Sequence, residues 1–145
     1  MIQLRPITQE NLENVLALRV SDSQQGFVSA TAHSLAQAYV YRDTAFPFAV
    51  YAGETLVGFL MFGYYKARKQ YTLWKFLIDQ RYQQQGYGKA ALALGIAYMK
   101  ETFGITELYT GVSLGNAVAK RLYQSMGFRE TGLVENGMEE MKFTC

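Results

Sequence analysis

A chain of 145 residues with a net charge of +2 is the size of one domain, which we expect to span residues 1–145. Half of the residues are hydrophobic, so the chain can bury a core, and a lone cysteine, Cys145, excludes a disulfide framework. The basic residues are scattered, and His33 is the single histidine, so we expect neither a nucleic-acid surface nor a metal site.

The N-terminal residues, Met1 to Arg5, lack the basic and apolar segments of a signal peptide. No apolar run approaches the ~18 residues that a membrane span needs. We therefore expect a cytoplasmic protein without a membrane segment.

The first part of the chain is predicted to form one strand and two helices. The strand covers residues 2–7, and Thr8 can cap the helix that follows. A second helix starts at Thr31 or Ser34 and ends near Tyr41. The residues predicted to face the core are Leu12, Val15, Leu16 and Leu18 in the first helix, and Leu35, Ala38 and Tyr39 in the second.

Three strands are predicted next, over residues 46–52, 55–65 and 71–78. The first two are joined by Gly53-Glu54, a two-residue turn of the kind that closes hairpins. The third strand is apolar enough to be central in a sheet.

The rest of the chain alternates helices and strands, with helices near residues 86–102 and 116–126 and a strand at 106–112 between them. Two final strands, 128–134 and 138–143, are joined across Asn136-Gly137, a strong hairpin signal. The order β-α-α-β-β-β-α-β-α-β-β predicts an α/β protein with a mixed sheet rather than a doubly wound one.

The segment QQQGYGKA, residues 83–90, lies between the central strand and a long helix. Its two glycines let backbone N–H groups approach an anion, and the helix N-terminus adds partial positive charge, so the segment predicts a diphosphate site. It also matches the G-x-G-x-x-A dinucleotide pattern, but seven residues separate strand and glycines, and the next strand ends without an acid for the ribose. A Walker A motif is excluded because Ala90 follows Lys89.

Two motifs resemble the signatures of the GNAT superfamily of acyl-CoA N-acyltransferases. The first is Gln83-x-x-Gly86-x-Gly88, and the second is Asn116-x-x-Ala119-x-x-Leu122-Tyr123-x-x-x-Gly127-Phe128. They occur in the expected order with a strand between them. The resemblance implies a mixed, mostly antiparallel sheet flanked by helices, and an N-acetyltransferase that uses acetyl-CoA and no metal.

Within that superfamily, the chain is most similar to bacterial spermine/spermidine (diamine) acetyltransferases. Residues 25–29, 34–38 and 76–79 carry this similarity. It implies direct attack by a primary amine on acetyl-CoA in a ternary complex, with spermine or spermidine as the acceptor. Acetylation of another amine, such as an aminoglycoside-like compound or a protein N-terminus, remains open, as does a non-catalytic acyl-CoA-binding module.

The resemblance also implies the roles of individual residues. Tyr123 is the general acid that protonates the leaving thiolate, and a backbone N–H near Leu77 or Ile78 polarises the thioester carbonyl. Asn116 bonds the pantetheine arm, and Lys89 adds positive charge at the pyrophosphate. The complete set of expected coenzyme A contacts is Leu77, Ile78, Gln83, Gln84, Gln85, Gly86, Tyr87, Gly88, Lys89, Asn116 and Ala119.

A polyamine acceptor needs carboxylates for its ammonium groups and aromatic walls for its methylene chain. The candidates are Asp22, Glu135, Glu139 and Trp74, and at most one of Glu139 and Glu140 can line the cleft because neighbours on a strand face opposite sides. The general base is left open, because the central strand carries Trp74-Lys75-Phe76 where family members often have an acid. The fold also allows a homodimer through its C-terminal strand.

Overall fold

The computed structural model describes residues 1–20 and 31–145. Its strands form one sheet in the order β1-β2-β3-β4-β5-β7-β6. They are β1 (Ile2–Arg5), β2 (Ala45–Ala52), β3 (Thr55–Tyr65), β4 (Gln70–Ile78), β5 (Glu107–Ser113), β6 (Arg129–Glu135) and β7 (Met138–Thr144). The β4–β5 pair is parallel and the other described pairs are antiparallel, so the predicted mixed, mostly antiparallel sheet is confirmed.

The helices of the described residues are α1 (Leu12–Leu16), α2 (Thr31–Val40), α3 (Tyr87–Phe103) and α4 (Ala117–Met126). The predicted element order is therefore confirmed. None of these helices has both the length and the apolar character needed to cross a membrane.

Four local predictions near the N-terminus were wrong. Leu12, predicted to face the core, is exposed, and Val15 is the buried residue of α1. Strand β1 stops at Arg5, because Pro6 has no N–H to continue a ladder. Asn11, not Thr8, occupies the N-cap position of α1, and its side-chain oxygen accepts from Thr8 N at 2.8 Å. Tyr39 is 70% exposed, because the buried face of α2 follows Thr31 and Ser34 and leaves Tyr39 to one side.

The β6–β7 hairpin turns as its sequence predicts. Asn136 and Gly137 have φ values of 52° and 74°. Positive φ at both central residues is the requirement of a type I′ turn, which matches the twist of the flanking strands.

Apolar side chains cover both faces of the sheet. Helices α3 and α4 pack on one face, where Leu92 and Met99 are fully buried. Helices α1 and α2 pack on the other face, where Val15 meets Phe59 and Met61 in one cluster. Each face thus has its own core.

Strand β4 separates from β5 partway along its length. The two strands pair at Thr72–Tyr109 and Leu73–Thr110 and at no later position. At the same point the register between β3 and β4 slips by one residue, which leaves Trp74 as an unpaired bulge residue. A bulge bends the strand that carries it, and this bend accounts for the cleft between β4 and β5.

Candidate active site

A cavity of about 700 Å³ lies where β4 and β5 separate, and we call it the first cavity. Its walls come from β4, the end of β5, the loop before α3, and α4. This volume is within the range of about 300–1,000 Å³ found for small-molecule sites. The arrangement puts the two sequence motifs on one cavity.

The loop before α3 adopts an unusual backbone conformation. Gln84 and Gly86 have φ values of 63° and 80°, in the left-handed region, and Gly86 is the N-cap of α3. The first intrahelical bond runs from Ala90 N to Gly86 O, at 3.2 Å. The N–H groups of residues 87–89 precede that bond and have no intrahelical acceptor, so they form an anion-binding helix N-terminus.

Gly88 lies where three elements meet beside this loop. A Cβ atom there would be in van der Waals contact with the Phe76 ring of β4, at 3.4 Å, and with Leu122 of α4, at 3.7 Å. Gln83 fastens the loop to the sheet, because its side-chain amide donates to Ile78 O at 2.9 Å. Both motifs therefore shape the same cavity wall.

Asp79 is a buried carboxylate, 2% exposed, at the end of β4. It accepts hydrogen bonds from Arg19 N at 3.0 Å, Arg81 N at 2.9 Å and Arg81 Nε at 2.8 Å. Burial by itself would raise the pKa of Asp79, but the hydrogen bonds from Arg81 and Arg19 outweigh it and lower the pKa. Asp79 thus holds the loop and does not line the first cavity.

Tyr123 reaches the first cavity from α4. Its side chain is buried and hydrogen-bonded to the side chain of Thr110, whose hydroxyl oxygen also lies 3.2 Å from Leu73 O. Burial raises the pKa of Tyr123 to about 12, and the bond to Thr110 offsets part of that rise. The Tyr123 hydroxyl therefore keeps its proton at physiological pH and is a hydrogen-bond donor. Thr110 could not be identified from the sequence as a functional residue, because threonine is common in strands.

Asn116 is the N-cap of α4, and its side-chain oxygen accepts from Ala119 N at 3.3 Å. That bond uses the carbonyl of the amide and none of its N–H groups. Asn116 also lines the first cavity, so it can cap the helix and donate to a ligand at the same time.

Comparison with known proteins agrees with this geometry. Residues 12–128 match the acetyltransferase (GNAT) family. The chain belongs to the GNAT family. It is an acetyl-CoA-dependent N-acetyltransferase. It is 32% identical over 150 residues to the spermine/spermidine N(1)-acetyltransferase of Bacillus subtilis (strain 168), across 97% of this chain and 96% of the relative.

Two solved structures of acetyltransferases have the same fold as this GNAT chain. One is the PaiA N-acetyltransferase from Thermoplasma acidophilum in complex with coenzyme A, with a TM-score of 0.78, 19% identity, and coverage of 100% and 99% of the two chains. The other is the spermidine N-acetyltransferase from Vibrio cholerae in complex with CoA and spermine, with a TM-score of 0.77, 17% identity, and coverage of 99% and 95%.

Most of the residues predicted to contact coenzyme A lie together in this GNAT structure. Gln85 is exposed and outside the first cavity. The predicted contacts that line it are Leu77, Ile78, Gln83, Gln84, Gly86, Tyr87, Gly88, Lys89, Asn116 and Ala119. Their individual roles stay predictions.

The predicted acceptor residues are dispersed. Trp74 lines the first cavity, whereas Glu135 is bound by Arg68 at 2.7 Å and Glu139 by Lys120 at 2.9 Å, both away from it. Asp22 and residues 25–29 lie outside the described part of the chain.

Proposed function

We propose that this GNAT enzyme acetylates a primary amine and that its acceptor is a polyamine such as spermidine or spermine. The full-length similarity to a spermine/spermidine N(1)-acetyltransferase supports the choice of acceptor. The observation that carries the catalytic part is that the glycine loop, Asn116 and Tyr123 line one cavity between two separating strands. In the reaction, the amine nitrogen bonds to the acetyl carbonyl carbon, the carbon–sulfur bond breaks, and sulfur takes up a proton.

The end of the first cavity at the N-terminus of α3 suits the diphosphate of acetyl-CoA. The N–H groups of Tyr87, Gly88 and Lys89 and the partial positive charge of the α3 N-terminus bind phosphate oxygens. Asn116 donates its amide N–H groups to the pantetheine arm. The β4 edge beyond Leu73 has no β5 partner, which supports a role for its backbone N–H groups in polarising the thioester carbonyl.

Tyr123 acts at the leaving sulfur. A free thiol has a pKa near ~8.5, so a hydroxyl with a pKa of about 12 holds its proton more tightly than the sulfur does. Tyr123 therefore stabilises the departing thiolate mainly by donating a hydrogen bond. This role needs the neutral hydroxyl, which burial preserves.

The acceptor must lose a proton, because a free alkylamine with a pKa near ~10.4 is mostly charged at neutral pH. Within residues 1–20 and 31–145, no Asp or Glu lines the first cavity to act as a base. Lys75 lines it, and burial lowers the pKa of that ammonium. A cation beside a bound amine disfavours the amine's charged form, so Lys75 helps to present the acceptor as the free base.

The proposal is tested by measuring release of free coenzyme A from acetyl-CoA with each amine of a panel as the acceptor. The panel contains spermine, spermidine, an aminoglycoside and a peptide with a free N-terminus, and mass spectrometry identifies each acetylated product. We expect the highest kcat/KM for a polyamine. The polyamine assignment is wrong if only the aminoglycoside or the peptide is acetylated, and the catalytic proposal is wrong if acetyl-CoA binds but no amine releases coenzyme A.

A further inference from the structure

A second cavity, of about 670 Å³, lies between the C-terminal end of α2 and the β3–β4 hairpin. Trp74 and Lys75 line both cavities, so the two share a wall at the bulge in β4. A molecule in the second cavity therefore contacts residues that also line the first cavity.

The second cavity has aromatic walls. Tyr41, Tyr64 and Tyr65 line it together with Trp74. The Trp74 ring is held in place, because it packs edge-on to Tyr41 with centroids 6.2 Å apart. Aromatic rings of this kind pack methylene groups and attract cations through their faces.

Asp43 is the one carboxylate that lines either cavity among the residues that the structure describes. No ion pair between Asp43 and another described residue is formed, whereas Glu135 and Glu140 both pair with Arg68 and Glu139 pairs with Lys120. These carboxylates of the C-terminal hairpin thus already have a cation of this chain as a partner, whereas Asp43 forms no such pair within the described residues.

Lys66 and Lys75 also line the second cavity. Lys75 belongs to the shared wall, where its charge disfavours a second cation.

We propose that the second cavity binds the cationic tail of an aliphatic diamine or polyamine, with Asp43 bound to the distal ammonium and the rings of Trp74 and the tyrosines around the methylene chain. The inference deepens the proposed function, on which it rests for the reaction at the other end of the ligand. It replaces the C-terminal glutamates with Asp43 as the residue that recognises the acceptor.

Trp74 is the single tryptophan of the chain, so its fluorescence reports binding beside it. Putrescine or spermidine is titrated into the wild-type protein, the Asp43→Asn variant and a control, Glu101→Gln. Glu101 is an exposed acid on α3 that lines neither cavity. We expect the dissociation constant to rise roughly three- to tenfold in Asp43→Asn, as for one exposed or partly desolvated ion pair, and to be unchanged in the control.

Butylamine, which has one amine, should bind the wild-type protein and Asp43→Asn equally. The inference is overturned if diamine affinity is the same in Asp43→Asn and wild type, or if no diamine changes the Trp74 signal. Binding that depends on Asp43 without acetylation of any diamine would sink the proposed function and leave this site standing. Acetylation of diamines at the same rate in wild type and Asp43→Asn would support the proposed function and overturn the assignment of Asp43 to the distal ammonium.

Discussion

The indole ring of Trp74 lies against the backbone of Gly63 on β3, where a Cβ atom would overlap the ring. Gly63 and Trp74 therefore depend on each other: the missing side chain on one strand makes room for the bulged side chain on the next. Because Trp74 lines both cavities, a glycine outside either lining fixes the wall between them.

Replacing Gly63 with Ala should push Trp74 out of its position. Overpacking of this kind costs about 1–3 kcal/mol of the free energy of unfolding. We expect a shifted Trp74 emission spectrum and weaker diamine binding, with coenzyme A affinity retained because the glycine loop is remote from Gly63. Unchanged emission and unchanged diamine affinity would contradict the role given to this contact.

The element order and the glycine loop were predictable because they depend on local patterns. Alternating apolar residues define the strands, and Asn136-Gly137 satisfies a turn that few other pairs satisfy. The cleft was not predictable in this way, because it arises where β3, β4 and β5 lose register at Trp74.

The candidate residues for binding the acceptor amine were also not predictable from local sequence patterns. Glu135 and Glu139 are candidate acids in the sequence, and their pairing with Arg68 and Lys120 depends on contacts between residues far apart along the chain. Asp43 follows the end of α2, where an acid carries no local signal of a cavity. Acidic residues in a sequence are candidate contacts for a cationic substrate. Tertiary contacts decide which of them are already paired with a cation of the same chain.

Replacing Tyr123 with Phe should lower kcat about 10²-fold, the lower range for loss of one positioned hydrogen-bond donor to developing negative charge. The KM for acetyl-CoA should change much less, because the ring still packs against Phe128 at 5.3 Å. Tyr109→Phe, on β5 and outside the first cavity, is the matched control. Steady-state kinetics with equal kcat in Tyr123→Phe and wild type would remove Tyr123 as the donor.

The pH profile offers a second check on Tyr123. Since the pKa of its hydroxyl is about 12, wild-type activity should show no loss from Tyr123 ionisation between about pH 7 and pH 10. A decline in kcat over that range that is absent from Tyr123→Phe would show that the hydroxyl ionises earlier than its burial implies.

Replacing Gly86 with Ala should weaken acetyl-CoA binding. A Cβ atom meets nothing within 4 Å there, so the penalty comes from the φ of 80° and amounts to about 1–2 kcal/mol. Gly53→Ala is a matched control, with a φ of 62° and open space in the β2–β3 turn. Thermal melts should show similar destabilisation in both variants, and kinetics should show a raised KM for acetyl-CoA in Gly86→Ala alone. Equal KM values for acetyl-CoA in the two variants would show that the loop does not bind coenzyme A.

Replacing Asp79 with Asn should cost about 1–3 kcal/mol of stability, since the part-buried N–H donors of Arg19 and Arg81 lose a charged acceptor. The folded pKa of Asp79 is lowered, so its contribution is fully present above the unfolded pKa of about 3.9 and is lost as the pH falls through the folded pKa. Urea unfolding across acidic pH should therefore show the wild-type advantage shrinking as the pH falls. An advantage that stays constant to the lowest pH would show that the carboxylate charge contributes nothing.

Replacing Lys75 with Gln should move the rise of kcat with pH toward higher pH for a polyamine acceptor. The cation lowers the pKa of the amine bound beside it, so its removal lets that pKa return toward about 10.4 and reduces the reactive free base near neutral pH. We expect a roughly tenfold lower kcat near neutral pH, a smaller deficit in alkaline buffer, and a KM that does not rise, because one repulsive charge is gone. Lys75→Arg keeps the charge and should retain the wild-type profile, since arginine stays protonated throughout. If the profiles of Lys75→Gln and wild type superimpose, the acceptor loses its proton by a route that does not involve Lys75.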